Sequence, residues 1–287
     1  MTYMQRINRI FLIAGYDKNG KINPALLHQV RELSQHGDCV LVMDSDCDES
    51  EIAKIKPYCL YVAATRHGEY DFGSYKRAFI WATENTDLSS YDFMYMVNDS
   101  VYGPLFDIEP YLHKMESFGT DAFGMVKKTG GRFEHIQSWF IGMTPKIFLS
   151  QWFNRFITSV KKVKYKTMVT ALYENGFTRL LNKYNIEWCC LYNIFNRGIY
   201  NRIKHLYLIK MPFMKKLAWT RHYGSFGRQI LFVLNRLQPS LRNDILASAR
   251  MTWGDEYIDW LLTRNIVKII LRKIKYTISR IMCKKHK

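Results

Sequence analysis

"YMVNDSVYGPL" spans Tyr95 to Leu105. The run from Tyr91 to Val97 reads as a buried strand. It stops at three small polar residues, Asn98-Asp99-Ser100, ahead of a Gly103-Pro104 turn. Open parallel sheets bind ligands beyond the carboxyl ends of their strands, so a carboxylate at this position has two readings. In one, Asp99 holds a divalent cation that bridges a diphosphate, or accepts hydrogen bonds from a sugar or ribose. In the other, the three residues close an ordinary turn on their own backbone.

The surrounding pattern is that of an α/β protein. Arg9–Tyr16 ("RIFLIAGY"), Cys39–Asp44 ("CVLVMD") and Cys59–Ala63 read as strands. Asn23-Pro24 opens a helix over Ala25–Gln35 that ends near Gly37, and a short helix is expected around Ser50–Lys56. A helix from about Gly73 to Glu84 leads into the opening strand. A helix near Ile108–Ser117, a strand at Asp121–Val126 and a strand at His135–Gly142 follow. This alternation predicts a mostly parallel sheet covered by helices on both faces. The remainder is mostly helical, with runs near Lys146–Val160, Thr167–Tyr184 and Gln229–Arg236. Two regions are expected: an α/β domain over 1–225, and a basic, mostly helical extension over 226–287.

With 287 residues, 48% apolar and 15% aromatic, the chain can bury a full core. No apolar run approaches the ~20 residues of a membrane span. The apolar run Ile10–Gly15 is too short for a signal peptide, and the six cysteines show neither C-x-x-C nor zinc spacing. A cytoplasmic protein is expected, with Cys189-Cys190 as buried thiols on a strand. Charge is uneven: residues 1–126 carry −7 and residues 127–287 carry +24. The basic half calls for an anionic partner. A nucleic-acid-binding protein is the runner-up on charge, but the chain lacks zinc spacing, an RNP-like segment and a clear helix-turn-helix, so no nucleic acid is expected. Residues 264–287 hold nine Lys/Arg and no acid, and Ile266, Val267, Ile270, Leu271, Ile274, Ile278 and Ile281 share one helical face.

Other stretches carry chemistry or a bland equivalent. In "HGEYDFGSYKRAF" (His67–Phe79), Asp71 and Gly73 fall in a loop, with Lys76 and Arg77 in the first helical turn. That arrangement suits a phosphate, or is a capped helix with two solvated cations. "GYDKNGKI" (Gly15–Ile22) nearly matches a phosphate loop but lacks the final hydroxyl. Asp44-Ser45-Asp46 has metal-binding spacing, and is equally a solvated loop before a helix. His135 and Gln137 alternate with apolar residues on one strand, as ligand-facing groups or as satisfied buried ones. Glu174 is either a catalytic base or an ion-pair partner at helical spacing.

Four of these pieces, in order, resemble the rhamnan synthesis F family of bacterial cell-surface polysaccharide glycosyltransferases. They are "YDFGSYKRAF", "VNDSVYGPL", "HIQSWF" and "MPFMKKL" (Met211–Leu217), within roughly residues 9–220. Where the family tends to have Asn-x-Gly before Tyr-Asp, this chain has His67-Gly68-Glu69. The resemblance implies a GT-A-like, Rossmann-like fold. It also implies transfer of a sugar such as rhamnose from a nucleotide-diphosphate donor to a growing polysaccharide or O-antigen. The acceptor would be carried on a polyprenyl diphosphate at the anionic inner leaflet. On this reading Asp99, with Mg²⁺ or Mn²⁺ or alone, holds the donor, and Glu174 or His135 is the base. Asp71, Gly73, Lys76, Arg77, Asn98, Ser100, Gln137 and Lys215 bind the donor. A non-catalytic relative keeping the fold as a scaffold is the other alternative.

Overall fold

The computed structural model describes residues 7–131, 133–220 and 226–271, with positions 274 and 278. The chain packs as two units. The first comprises residues up to Ile22, Leu26–Asp99 and Asp107–Asn196; the second comprises Asn23–Ala25, Ser100–Phe106 and the chain from Arg197 onward. Packing therefore divides the chain at 197 rather than at 226, and the second unit draws in two short N-terminal segments.

In chain order the strands are β1 (Arg9–Gly15), β2 (Asp38–Met43), β3 (Tyr61–Ala64), β4 (Phe93–Asn98), β5 (Val101–Tyr102), β6 (Ala122–Thr129), β7 (His135–Ile136), β8 (Phe140–Met143), β9 (Trp188–Phe195) and β10 (Met214–Lys215). Eight of them form the sheet of the first unit, in the order β3-β2-β1-β4-β8-β6-β7, with β9 also on β6. β1 to β4 pair in parallel and β9 is parallel to β6. β7 and β8 run against their neighbours. The sheet is mostly parallel, as the alternating pattern predicts, with reversed strands near one side. All seven residues of β1 are buried. Such continuously buried strands form where both faces are covered.

The helices of this unit are α1 (Pro24–Ser34, whose first two residues pack in the second unit), α2 (Glu49–Ile55), α3 (Tyr70–Asn85), α4 (Glu109–Glu116), α5 (Pro145–Phe148), α6 (Gln151–Thr158), α7 (Lys166–Val169) and α8 (Asn175–Lys183). One core joins Ile10, Leu12 and Ala14 of β1 and Val40 and Val42 of β2 to Phe72, Tyr75 and Phe79 of α3. Each large side chain buried there stabilises by roughly 1.5–3 kcal/mol. Arg9, at the opposite end of β1 from Gly15, is buried. Its Nε and Nη2 donate to both carboxylate oxygens of Glu116 on α4, at 2.6 and 2.7 Å, and Tyr95 Oη donates to the same carboxylate.

Two expected helices are subdivided. Ser150 breaks the first, and its Oγ accepts from Phe153 N to cap α6. The second holds a π-helical turn, Thr170–Glu174, between α7 and α8. The strand β9 is half-buried, and so are Cys189 and Cys190 on it, rather than fully buried.

The second unit contains β5, β10, α9 (Gly198–Asn201), α10 (Ile203–Leu208), α11 (Phe226–Leu234), α12 (Pro239–Trp253) and α13 (Asp255–Leu261). Its core gathers Tyr102, Trp219, Ile230, Val233, Ile245 and Ile258. The Trp219 ring meets Tyr102 edge-on at 5.4 Å and stacks on Trp253 at 6.0 Å. Residues 266–271 are helical, as are positions 274 and 278, and Asn265 Oδ1 accepts from Lys268 N at the start of that helix. The rest of the expected tail, 272–273, 275–277 and 279–287, including Ile281, lies outside the described residues. Among the described residues, no helix is long and apolar enough to cross a membrane.

Candidate active site

β4 delivers Asn98 and Asp99 to the carboxyl edge of the sheet. Asn98 N donates to Trp139 O, and Asp99 N donates to Ala14 O, so backbone bonds from both sides fix this strand end. The Asn98 side chain is buried, and its Nδ2 donates to Asp71 Oδ2 at 3.1 Å. Gln29 Nε2, from α1, reaches the Asn98 carbonyl at 3.4 Å. Asp99 is half-buried beside it.

Asp71 occupies this position because α3 starts earlier than expected, at Tyr70, whose φ is 60°. Asp71 and Gly73 therefore belong to the first turn, and Lys76 and Arg77 to the second. Four residues after Asp71 on the same helix face stands Tyr75, which is fully buried. Its hydroxyl donates to Ser138 O at 2.9 Å. Burial raises the Tyr75 pKa well above that of an ordinary phenol, as do the charges of Asp71, Asp99 and Glu174, while a hydrogen bond with Asn98 acts the other way. One neutral hydroxyl thus stands among three carboxylates.

Ser138 comes from an irregularity between β7 and β8. The pairing with β6 is Lys128↔His135 and Lys127↔Ile136, but Gly124↔Ile141 and Ala122↔Met143. The register slips by two residues between Gln137, whose N still donates to Val126 O, and Ile141, and Ser138 lies in this bulge. Bulges re-aim side chains and are common next to active sites. The strict alternation expected over His135–Phe140 is broken here. Gln137 Oε1 accepts from Trp139 Nε1 at 2.8 Å, so it satisfies an indole rather than standing open on a strand face. Glu174, the last residue of the π turn, accepts from Ser138 N through Oε1 at 3.0 Å, and the same oxygen lies 3.9 Å from His135 Nε2. Glu174 partners the bulge and a histidine, in place of the Lys or Arg that helical spacing suggested.

The two cations expected to meet phosphate are engaged. Glu69 accepts from Lys76 at 2.7 Å and from Arg77 at 2.8 Å, and Lys76 Nζ also donates to Val160 O. Burial works against the Glu69 carboxylate, yet these donors outweigh it and hold its pKa below the usual value. Gly73 is required by packing: a Cβ there would lie 2.2 Å from Glu69 Cβ and 2.9 Å from His67 Cε1. His67 Nδ1 accepts from Glu69 N and its Nε2 faces Ser74 Oγ at 3.0 Å, the pattern of a neutral ring protonated at Nε2. Burial lowers the His67 pKa, against the pull of Asp44.

Asp44, at the end of β2, accepts from His67 N and Gly68 N through Oδ1, and Asp46 accepts from Arg66 N. This acidic pair organises the loop before α3. Asp17 Oδ1 likewise accepts from Asn19 N and Lys21 N, which makes the near-phosphate loop a side-chain-closed turn. A cavity of about 380 Å³ opens beside His67, lined also by Tyr61, Thr65, Arg66 and Arg77.

In the second unit, Lys215 on β10 is buried and its Nζ donates to Ser100 Oγ at 2.8 Å. The β10–β5 pairing sets Lys215 opposite Val101 and so brings these two expected site residues together. In the first unit the structure gathers Asp71, Asn98, Asp99 and Glu174, with His135 behind Glu174. Tyr75, Ser138 and His67 were not singled out from the sequence. The Asp71–Tyr75 spacing falls on one helix face only because α3 starts at Tyr70, before the expected Gly73.

The model of the rhamnan synthesis protein F family matches residues 39–286, so the chain belongs to that family. The match runs on through the basic C-terminal region, which the sequence resemblance had left out. Among curated proteins no sequence matches the chain. Several solved structures are similar at low identity. A protein classed as a nucleotide-diphospho-sugar transferase from Desulfovibrio desulfuricans G20 is 15% identical, covers 70% of this chain and 89% of its own, and has a TM-score of 0.41. A glycosyltransferase involved in glycosylation of the major capsid of PBCV-1 is 12% identical over 73% and 94%, with a TM-score of 0.36. S. aureus TarS is 10% identical over 89% and 55%, with a TM-score of 0.38. The fold class is the expected α/β one, a mostly parallel sheet flanked by helices.

Proposed function

We propose that the protein is a glycosyltransferase that moves a sugar, rhamnose or a close analogue, from a nucleotide-diphosphate donor to a growing cell-surface polysaccharide or O-antigen. Membership of the rhamnan synthesis protein F family ties the chain to polysaccharide synthesis. The observation that most supports the chemistry is the Asp71–Asn98 hydrogen bond at the carboxyl edge of β4, with Asp99 and Glu174 near the same buried hydroxyl.

Glycosyl transfer passes through an oxocarbenium-like state. The bond from the sugar's anomeric carbon to the diphosphate breaks, a bond from that carbon to the acceptor oxygen forms, and a base takes the acceptor's proton. Asp71 and Asn98, locked to each other, present fixed oxygens to sugar or ribose hydroxyls. Asp99 faces the donor. Glu174 takes the acceptor proton, with His135 at 3.9 Å to stabilise the change of charge. The cavity beside His67 lies within the size range of ligand sites and suits the nucleotide part of the donor. Among the described residues no set of three or more His, Cys, Asp or Glu could hold an ion unaided. Mg²⁺ often sits on one or two carboxylates plus substrate phosphates, and Asp99 fits that role, where the ion would neutralise the diphosphate. The acceptor on this reading is a glycan on a polyprenyl diphosphate, met at the inner face of the cell membrane.

Asp99→Ala tests the proposal. Transfer should fall by at least about 10²-fold while the melting temperature and circular dichroism stay those of the parent protein. Turnover at the parent rate would end the assignment. A thermal-shift panel of nucleotide sugars, with and without Mg²⁺ or Mn²⁺, identifies the donor.

A further inference from the structure

The helix capped by Asn265 leaves an apolar face open. Ile266, Val267, Ile270, Leu271, Ile274 and Ile278 are each 50–64% exposed, whereas Ile269 is 3% exposed. At about 100° per residue, the six exposed positions fall within an arc of about 140°, and Ile269 points about 130° away from the centre of that arc. Ile269 is therefore the side turned inward, and the apolar arc is the side turned out. Six such side chains on one face are more than scattered surface hydrophobics.

We infer that this face is a docking surface for an anionic lipid bilayer, on which the helix lies with its apolar arc in the headgroup boundary. Charge decides among occupants. Residues 264–287 carry nine Lys/Arg and no Asp or Glu. Two copies of so basic a segment repel each other, and a nucleic acid would not cover isoleucines. A surface with acyl chains below and anionic headgroups above satisfies both the apolar arc and the cations. Trp260, 41% exposed on α13 just before this helix, is a residue type that favours that boundary. The inference deepens the proposed function by naming the segment through which the enzyme meets the membrane of its acceptor, and it rests on that reading for its purpose.

The test uses full-length protein and extruded vesicles of phosphatidylcholine with or without 30% phosphatidylglycerol, read by flotation. Binding should require phosphatidylglycerol and weaken as salt is raised. Ile270→Glu/Ile274→Glu changes two exposed positions and should lower vesicle affinity about tenfold or more, with an unchanged melting temperature. Asp99→Ala should bind vesicles like the parent protein, and the double variant should keep thermal-shift binding of the donor. Failure of membrane docking is thereby separated from failure of the glycosyltransferase reading. Equal binding to neutral vesicles, parent-like flotation of the double variant, or a loss traced to a broken dimer in sedimentation would each overturn the inference.

Discussion

Tyr75→Phe removes one oxygen from the centre of the candidate site and leaves the ring to fill the same space. In the parent protein that hydroxyl donates to Ser138 O at 2.9 Å and hydrogen-bonds Asn98. Both partners are buried. A buried polar group left without its partner costs about 1–3 kcal/mol. With two groups affected and some relaxation, a loss of about 2–3 kcal/mol is expected. For a unit of this size that corresponds to a fall in melting temperature on the order of 5–10 °C. The catalytic effect is larger than the loss of a hydrogen bond, because Asn98 holds Asp71 and the Ser138 bulge holds Glu174. Misplacement of such groups by ~1 Å costs up to about 10²-fold in rate. Sugar transfer should therefore fall about 10–100-fold in kcat, with little change in donor affinity by thermal shift. Tyr75→Ala, which also empties the ring volume, should cost about 3–5 kcal/mol and so separates packing from the hydroxyl. A Phe variant that melts within about 1 °C of the parent and turns over at its rate would refute the view that this hydroxyl organises the carboxylates.

Three further outcomes are expected. Glu174→Gln keeps an oxygen for Ser138 N but cannot take a proton, so kcat should drop by about 10²-fold or more at nearly constant melting temperature; a parent-like rate would leave Glu174 as an anchor of the bulge only. Burial holds the folded pKa of His67 below that of an ordinary imidazole and favours its neutral form, so stability should decline as pH falls from about 6.5 toward that lower value. His67→Asn, which keeps a short side-chain acceptor near Glu69 N, should flatten that part of a denaturation-midpoint-against-pH curve, and an unchanged slope would exclude His67 as its source. Gly73→Ala drives a Cβ toward Glu69 Cβ and His67 Cε1 and should destabilise by roughly 1–3 kcal/mol in chemical denaturation; a neutral result would show that the loop yields freely.

The parallel strands were legible because β1, β2 and β4 are unbroken apolar runs, and Asn98-Asp99 ends one of them with polar residues. The reversed direction of β8 was not legible, since apolar alternation is the same in either direction. The two-residue slip between Gln137 and Ile141 leaves no mark in "HIQSWF" either, because its consequences lie in pairing with β6. Asp71 and Glu174 could be found as acids in quiet surroundings. Tyr75 could not, because a tyrosine on an apolar helix face reads as core. Lys76 and Arg77 looked like phosphate ligands while Glu69, eight residues from Arg77, was outside the helical pattern that local reasoning tracks. The division at 197 was hidden for a related reason: Tyr102 and Leu105 join a core built from residues more than a hundred positions later.

That last arrangement limits how the gene can be rearranged. The second unit is not a cassette appended to the first, since Tyr102 needs Trp219 and Ala25 N donates to Ser248 Oγ. A chimera that swaps everything after Asn196 would inherit foreign partners for Ser100–Phe106, a segment covalently continuous with Asp99. Exchange of specificity between relatives therefore has to carry three separated segments together, or proceed one substitution at a time.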